Sequence, residues 1–255
     1  MVHHKDQRRI GIQPAQRLFV LIAKAHPVDR IGQPARDPNG KAEIGEGGKG
    51  LGVSRIESDK IHHRVPRNSP ALFNAGHRSF KNYFHDGRIE KNKKYPSGVK
   101  SPAGYKLPEG LDSILAAQAL FPVTSDVEMA GQASENEIGA YAAKGDVEGI
   151  WRTIENRLVN IPEYVEMFKS AYSDVNSKKD IKIKHMANAI AHFEKVGFKA
   201  DDSPFDRYLA GDKTSLSAKQ IRGMKIFYNK GKCASCHSGE MMMDNSFHSI
   251  ALAPI

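Results

Sequence analysis

The chain has two cysteines, Cys233 and Cys236, separated by two residues and followed at once by His237. Thiols this close cannot staple distant parts of a chain, so the fold has to stand on an apolar core and not on a disulfide framework. The composition allows this, since 40% of the 255 residues are hydrophobic and 26% are charged, the balance of a folded globular chain. At this length two modest domains are expected. No run approaches the roughly 20 apolar residues of a membrane-spanning helix, so no membrane span is expected.

Apolar spacing beyond Pro66 is helical. Leu111, Ile114, Leu115 and Ala119 share one face, as do Val147, Ile150, Trp151, Ile154 and Leu158. Pro162 suits a helix first turn, with Tyr164, Val165 and Phe168 after it. Met186, Ile190 and Phe193 mark a further helix, and Ile221, Met224 and Tyr228 a last one. No segment alternates with period 2, so the expected class is all-α with extensive coil between residues 44 and 110. Asp201-Asp202-Ser203-Pro204 breaks the helical pattern and reads as a domain junction.

Cys233-Ala234-Ser235-Cys236-His237 has the spacing that attaches haem c. Two thiols add to the porphyrin vinyl groups, and the adjacent imidazole reaches the iron. A zinc knuckle needs a second ligand pair that this cysteine count does not supply, and a thioredoxin-like pair expects a βαβ setting. Upstream, Gly223 suggests a close helix crossing, because glycine within a helix costs about 1 kcal/mol. Phe227 reads as packing beside the same site.

The N-terminal segment, residues 1–43, is the least coherent part. Its Leu18–Ala23 apolar stretch and Ala23-Lys24-Ala25 have the order of an export signal. The apolar part is at or below the short end of the usual ~7–15 residues, and an irregular start is the plainer reading. Ile44 to Gly52 contains five glycines and is expected to be a loop.

Several stretches taken together resemble the bacterial di-haem cytochrome c peroxidases and their MauG-like relatives. They are PRNSPALFNAG at 66–76, FHDGR at 84–88, AAQALFPVTSDVEM at 116–129, SPFDRYL at 203–209 and CASCHSG at 233–239. The resemblance runs from about Ile44 to Ile255. It implies two cytochrome c-like helical domains, each with a haem, one reacting with hydrogen peroxide and the other receiving electrons from a small cytochrome c or copper protein. Applied here, residues 44–200 are the peroxidatic-type domain and residues 201–255 the start of the electron-transfer domain. Where the family has its first haem motif this chain reads Gln33 to Asn39 with no cysteine, so one covalent haem is expected instead of two. The part of the second domain that holds the family's distal methionine would follow Ile255. An incomplete or frame-shifted gene product is the expectation from these departures.

The same resemblance assigns individual residues. Glu128 matches the active-site acid beside the peroxide-binding haem, where a carboxylate shuttles a proton between peroxide oxygens. Read alone it is a solvated helix-end glutamate. Asn68 matches a ligand of an interdomain calcium ion, and its plainer reading is a turn cap. His85 stands where relatives have a tryptophan between the haems. His62 and His63 lie near the position of a removable distal histidine, and solvated loop residues are the simpler reading. Met241, Met242 and Met243 read as soft filler near the porphyrin edge, with His248 unassigned.

The net charge of +9 is compatible with an anionic partner. No nucleic-acid-binding pattern accompanies Lys91, Lys93 and Lys94, so a solvated loop is expected there. The expected function is a periplasmic haem protein that reduces hydrogen peroxide with electrons from a small redox protein. The alternatives are a mono-haem electron carrier without peroxidase activity and a MauG-like oxidase.

Overall fold

Side-chain caps and prolines start most of the helices. The computed structural model describes residues 70–134 and 136–249, with the backbone of a short antiparallel pair, β1 (Ala35–Arg36) and β2 (Ala42–Glu43). The glycine-rich stretch 44–52, His62, His63 and Asn68 lie outside the described residues.

Ser113 accepts from the Ala116 N–H and opens α1 (Ile114–Gln118). Asn136 opens α2 (Glu137–Ala142) and Asp146 opens α3 (Val147–Val159) in the same way. Pro162 is the first residue of α4 (Pro162–Ala171), where its missing N–H removes no bond. α5 (Ile183–Gly197) is the longest helix among the described residues. Ser203 and Asp206 form a capping box at α6 (Pro204–Leu209), and Ser217 and Gln220 another at α7 (Ala218–Tyr228). α1, α3, α4, α5 and α7 fall where the apolar spacing puts helices, whereas α2 and α6 are not marked by it, and Ser203-Pro204, read as a breaker, caps and opens α6.

The stretch expected to be coil differs. β3 (Asn82–Tyr83), β4 (Ile89–Lys91) and β5 (Val99–Lys100) form a small antiparallel sheet, with Tyr83 opposite Ile89 and Lys91 opposite Val99. Strands of two or three residues are too short to display a period-2 pattern. The molecule is nevertheless predominantly helical.

The main core forms where α1 packs against the sheet and α5. Ile89, Ala116, Ala117, Leu120, Ile150 and Ala187 are fully enclosed there. Alanines at 116 and 117 let the short helix approach its neighbours closely. Asn188 of α5 accepts from the Asp112 N–H and donates to the Gly110 carbonyl, both at 2.9 Å, which pins the entry to α1. A smaller core gathers Phe168, Val175, Ile181 and Ala189. No helix among the described residues is long and apolar enough to cross a membrane.

Glu194, half-buried on α5, has its carboxyl pushed up to about 7 by burial. Below the ordinary value of 4.5 both folded and unfolded chains hold the proton, so nothing is lost. As pH rises towards 7 the unfolded chain ionises freely while the folded one resists, and stability falls. Glu194→Gln is therefore expected to match the parent chain in urea denaturation at pH 4 and to exceed it at pH 8. Equal midpoints at both pH values would remove Glu194 from the pH response.

Candidate functional site

Two groups of residues carry the candidate chemistry. The first begins at Lys232, whose left-handed backbone (φ 54) turns the chain out of α7 into a single 3-10 turn, Cys233–Ser235. The Cys233 carbonyl then accepts from the N–H groups of Cys236 at 3.3 Å and His237 at 3.0 Å. This local winding puts both free thiols and the imidazole on one short turn, with Cys233 exposed and Cys236 half-buried.

His237 Nδ1 lies 3.1 Å from the Met242 carbonyl oxygen. A carbonyl only accepts, so Nδ1 carries the hydrogen and the neutral ring keeps its lone pair on Nε2. A second bond of this kind fixes ring orientation and raises ligand basicity at iron. Met242 therefore acts through its backbone, a role for which its side-chain type gave no signal. The Phe227 ring stands 6.4 Å from the His237 ring, as expected of a packing partner. Gly223 differs from expectation, because a Cβ there would meet only open space. The close crossing invoked for it does not exist among the described residues.

Two thiols without other covalent partners and an imidazole with Nε2 available fit the donor set that haem c requires. No other cysteine exists in these 255 residues, so a second thioether-bound haem has no attachment point here.

The second group surrounds Glu128. It lies in a wide π-helical turn, Asp126–Ala130, in which the Ser125 carbonyl accepts from the N–H groups of Glu128, Met129 and Ala130. Such turns recur at functional sites. Glu128 is exposed along one edge, yet the protein around its carboxyl withdraws enough water to raise its pKa above the usual value. The positive charge of Arg88 pulls the other way.

Arg88 is held by its own neighbours. It pairs with Asp86 at 3.0 Å and lies 3.8 Å over the centre of the Phe84 ring. Phe84 itself takes φ 65, an uncommon conformation for a bulky residue, and His85 follows at the exposed tip of this turn. In the sequence Arg88 ends the FHDGR stretch and carries no signal of a role. Its charge bears on Glu128 only through the tertiary fold.

The Glu128 turn is braced from α2. Asn136 Oδ1 accepts from Ile138 and Gly139 N–H, while its Nδ2 donates to the Ala130 carbonyl at 2.9 Å. Gly139 is required by space, because a Cβ there would overlap the Gln132 carbonyl oxygen. Gly139→Ala is expected to cost about 1–3 kcal/mol, read as a lower urea midpoint. An unchanged midpoint would show that the loop gives way freely.

A strip of contacts links the two groups. Glu240, three residues beyond His237, pairs with Arg78 at 2.8 Å and faces His77 at 3.6 Å. Asn245 Oδ1 accepts from the Lys81 N–H at 3.1 Å. The Phe247 ring covers Gly87, where a Cβ would come within 2.6 Å of it. The segment after the cysteine motif thus rests on the same 77–88 stretch that presents Arg88 to Glu128. Met241 and Met243 are half-buried in that segment.

The Glu128 group lies in the part of the chain that matches a known family. The chain is 31% identical over 174 residues to cytochrome c551 peroxidase of Pseudomonas aeruginosa, covering 68% of this chain and 37% of that protein. It is 35% identical over 131 residues to cytochrome-c peroxidase IdrP1 of Pseudomonas sp. (strain SCT), covering 51% and 32%. It is 34% identical over 99 residues to methylamine utilization protein MauG of Methylorubrum extorquens, covering 39% and 27%. These matches span about a third of the relatives' own length. Residues 38–214 match the family described as di-haem cytochrome c peroxidase, a stretch that contains Arg88 and Glu128 and ends before Cys233. With that much of the sequence matched, the chain belongs to the di-haem cytochrome c peroxidase family.

Proposed function

We propose that this chain serves in peroxide reduction, with one haem c bound through Cys233 and Cys236 and ligated by His237. The observation that carries the reading is the Met242 bond to His237 Nδ1, which leaves Nε2 free for iron in a chain of this family. The haem, when bound, supplies one-electron chemistry. The protein's own part is to orient the imidazole, set the Phe227 ring beside it and hold the segment 240–247 against the 77–88 strip.

Residues 44–200 form the peroxidatic-type domain and residues 201–255 begin the electron-transfer domain. With a second, non-covalently held haem beside it, Glu128 would take a proton from one peroxide oxygen and return it to the other, with Arg88 tuning its affinity for that proton. Asn68 would offer an amide oxygen to a calcium ion, with a turn cap as its plainer role. Electrons come from a small cytochrome c or copper protein. Haem c attachment takes place in an oxidising compartment after export, which supports a periplasmic location.

A second reading is a mono-haem electron carrier, favoured by the single cysteine pair. A MauG-like oxidase is a third, supported by the 34% identity to that relative. Stopped-flow mixing of the haem-loaded chain with peroxide and a ferrous donor cytochrome separates the first two. Sustained donor oxidation supports the peroxidase, and one-electron exchange without peroxide turnover supports the carrier.

Where turnover is observed, Glu128→Gln is expected to lower it by about 10²-fold or more at unchanged haem content. A base must be ionised, so the parent rate falls as pH drops through the raised pKa of Glu128. The glutamine variant lacks this acid limb. A variant that keeps the full rate assigns the proton transfer to another group.

A further inference from the structure

Beyond the cysteine motif the chain turns back on itself. Met242 and Asn245 both take left-handed backbone, with φ 51 and 57. Neither is glycine, so the surrounding contacts have to hold these turns. Lys81, Arg78 and Gly87 supply those contacts, as described above. Asp244 Oδ1 accepts from the Ser246 N–H at 2.9 Å, while Oδ2 lies 2.8 Å from His248 Nε2. The turns bring Cys236 Sγ, an Asp244 carboxylate oxygen and a His248 ring nitrogen within 4.8 Å of one another.

We propose that the haem-free chain binds a zinc-class divalent transition metal at Cys236, Asp244 and His248, in a state that excludes haem attachment at Cys236.

The donor set selects the metal class. One thiolate, one imidazole and one carboxylate suit zinc and its borderline-soft neighbours, whereas calcium and magnesium take oxygen ligands. Metal–ligand bonds of about 2.0–2.3 Å place tetrahedral donors roughly 3.5 Å apart, so side-chain movements of about 1 Å close the group. Three protein ligands leave a fourth position for water.

The remaining motif residues are turned elsewhere. Cys233 Sγ faces the Gly231 carbonyl at 3.5 Å, and His237 Nδ1 is engaged by Met242. Cys236 is thus the member of the motif that joins the group. On binding, a metal–sulfur bond replaces the S–H bond of Cys236 and the proton passes to solvent, while the His248 hydrogen bond to Asp244 breaks and the ring ligates through whichever nitrogen its tautomer leaves unprotonated, with no electron transferred. Thioether formation uses the same sulfur, so metal occupancy and haem attachment compete.

The test uses the 255-residue chain, reduced and haem-free, with cobalt(II) and zinc(II). Cobalt is expected to bind one-to-one with a sulfur-to-metal charge-transfer band in the near ultraviolet. Asp244→Asn and His248→Ala should each weaken binding about ten-fold or more. In the zinc-loaded parent chain, alkylation mapped by peptide mass spectrometry should label Cys233 and spare Cys236. Protection of both cysteines, or of Cys233 alone, would place the metal on the cysteine motif and overturn the proposal. Labelling of both would overturn it as well. The alkylation arm needs no substitution, so it holds even where a variant folds poorly.

Discussion

Matured by a haem c attachment system, the chain is expected to carry one covalent haem, and Cys233→Ala/Cys236→Ala to carry none. The two thiols are the sole thioether donors in the sequence, and the 3-10 turn presents them together. Intact-protein mass spectrometry reads the number of adducts, and the haem absorbance confirms the loss. His237→Ala should retain the adduct, because the thioethers are independent of the axial ligand, but its ferrous spectrum should change with loss of the imidazole. Met242→Ala should retain both adduct and spectrum. The bond to His237 comes from the Met242 backbone carbonyl, which alanine also has. A Met242→Ala spectrum matching that of His237→Ala would show that the methionine side chain, and not the carbonyl, sets the iron environment. Two adducts in the parent chain would refute the stoichiometry outright.

The largest stability loss is expected at Trp151. This side chain is 4% exposed in the main core, and its Nε1–H donates to the Leu120 carbonyl at 3.2 Å. Leu120 lies just past α1, so the bond ties α3 to the segment that leads into the Glu128 turn. Trp151→Ala empties a large volume and leaves a buried carbonyl without its donor, for a combined cost of about 3–5 kcal/mol. For a cooperative unit of this size that corresponds to a fall of roughly 10 °C in Tm. Trp151→Phe keeps most of the volume and isolates the hydrogen bond, at about 1 kcal/mol beyond its packing change. Thermal and urea denaturation followed by far-ultraviolet circular dichroism measure both. An alanine variant within 1 kcal/mol of the parent would mean that the core collapses around the gap.

The linkage between the two candidate groups shows why functional consequences in this fold extend beyond the residues named by motif. Glu128 responds to Arg88, Arg88 sits in the turn covered by Phe247, and Phe247 follows the segment that carries the His237 acceptor. A change at Gly87, whose φ of 64 and contact with Phe247 both require glycine, touches both groups at once.

The helices and the cysteine motif were readable along the chain because their causes are local. Pro162 at a first turn and apolar residues at 3.6-residue spacing act over a few neighbours, while the serine caps at 113, 203 and 217 are seen only in the structure. The Cys233, Cys236 and His237 spacing is likewise a short-range property. The sheet of β3–β5 was not readable, since two- and three-residue strands leave no periodic signal and are defined by their partners. Neither was the role of Met242, because every residue offers a carbonyl and only the left-handed turn at 242 aims this one at His237. Arg88 beside Glu128, and Asp244 and His248 beside Cys236, are placements set by long-range packing. A linear sequence names such side chains, but the energy that brings them together comes from contacts between segments far apart in it.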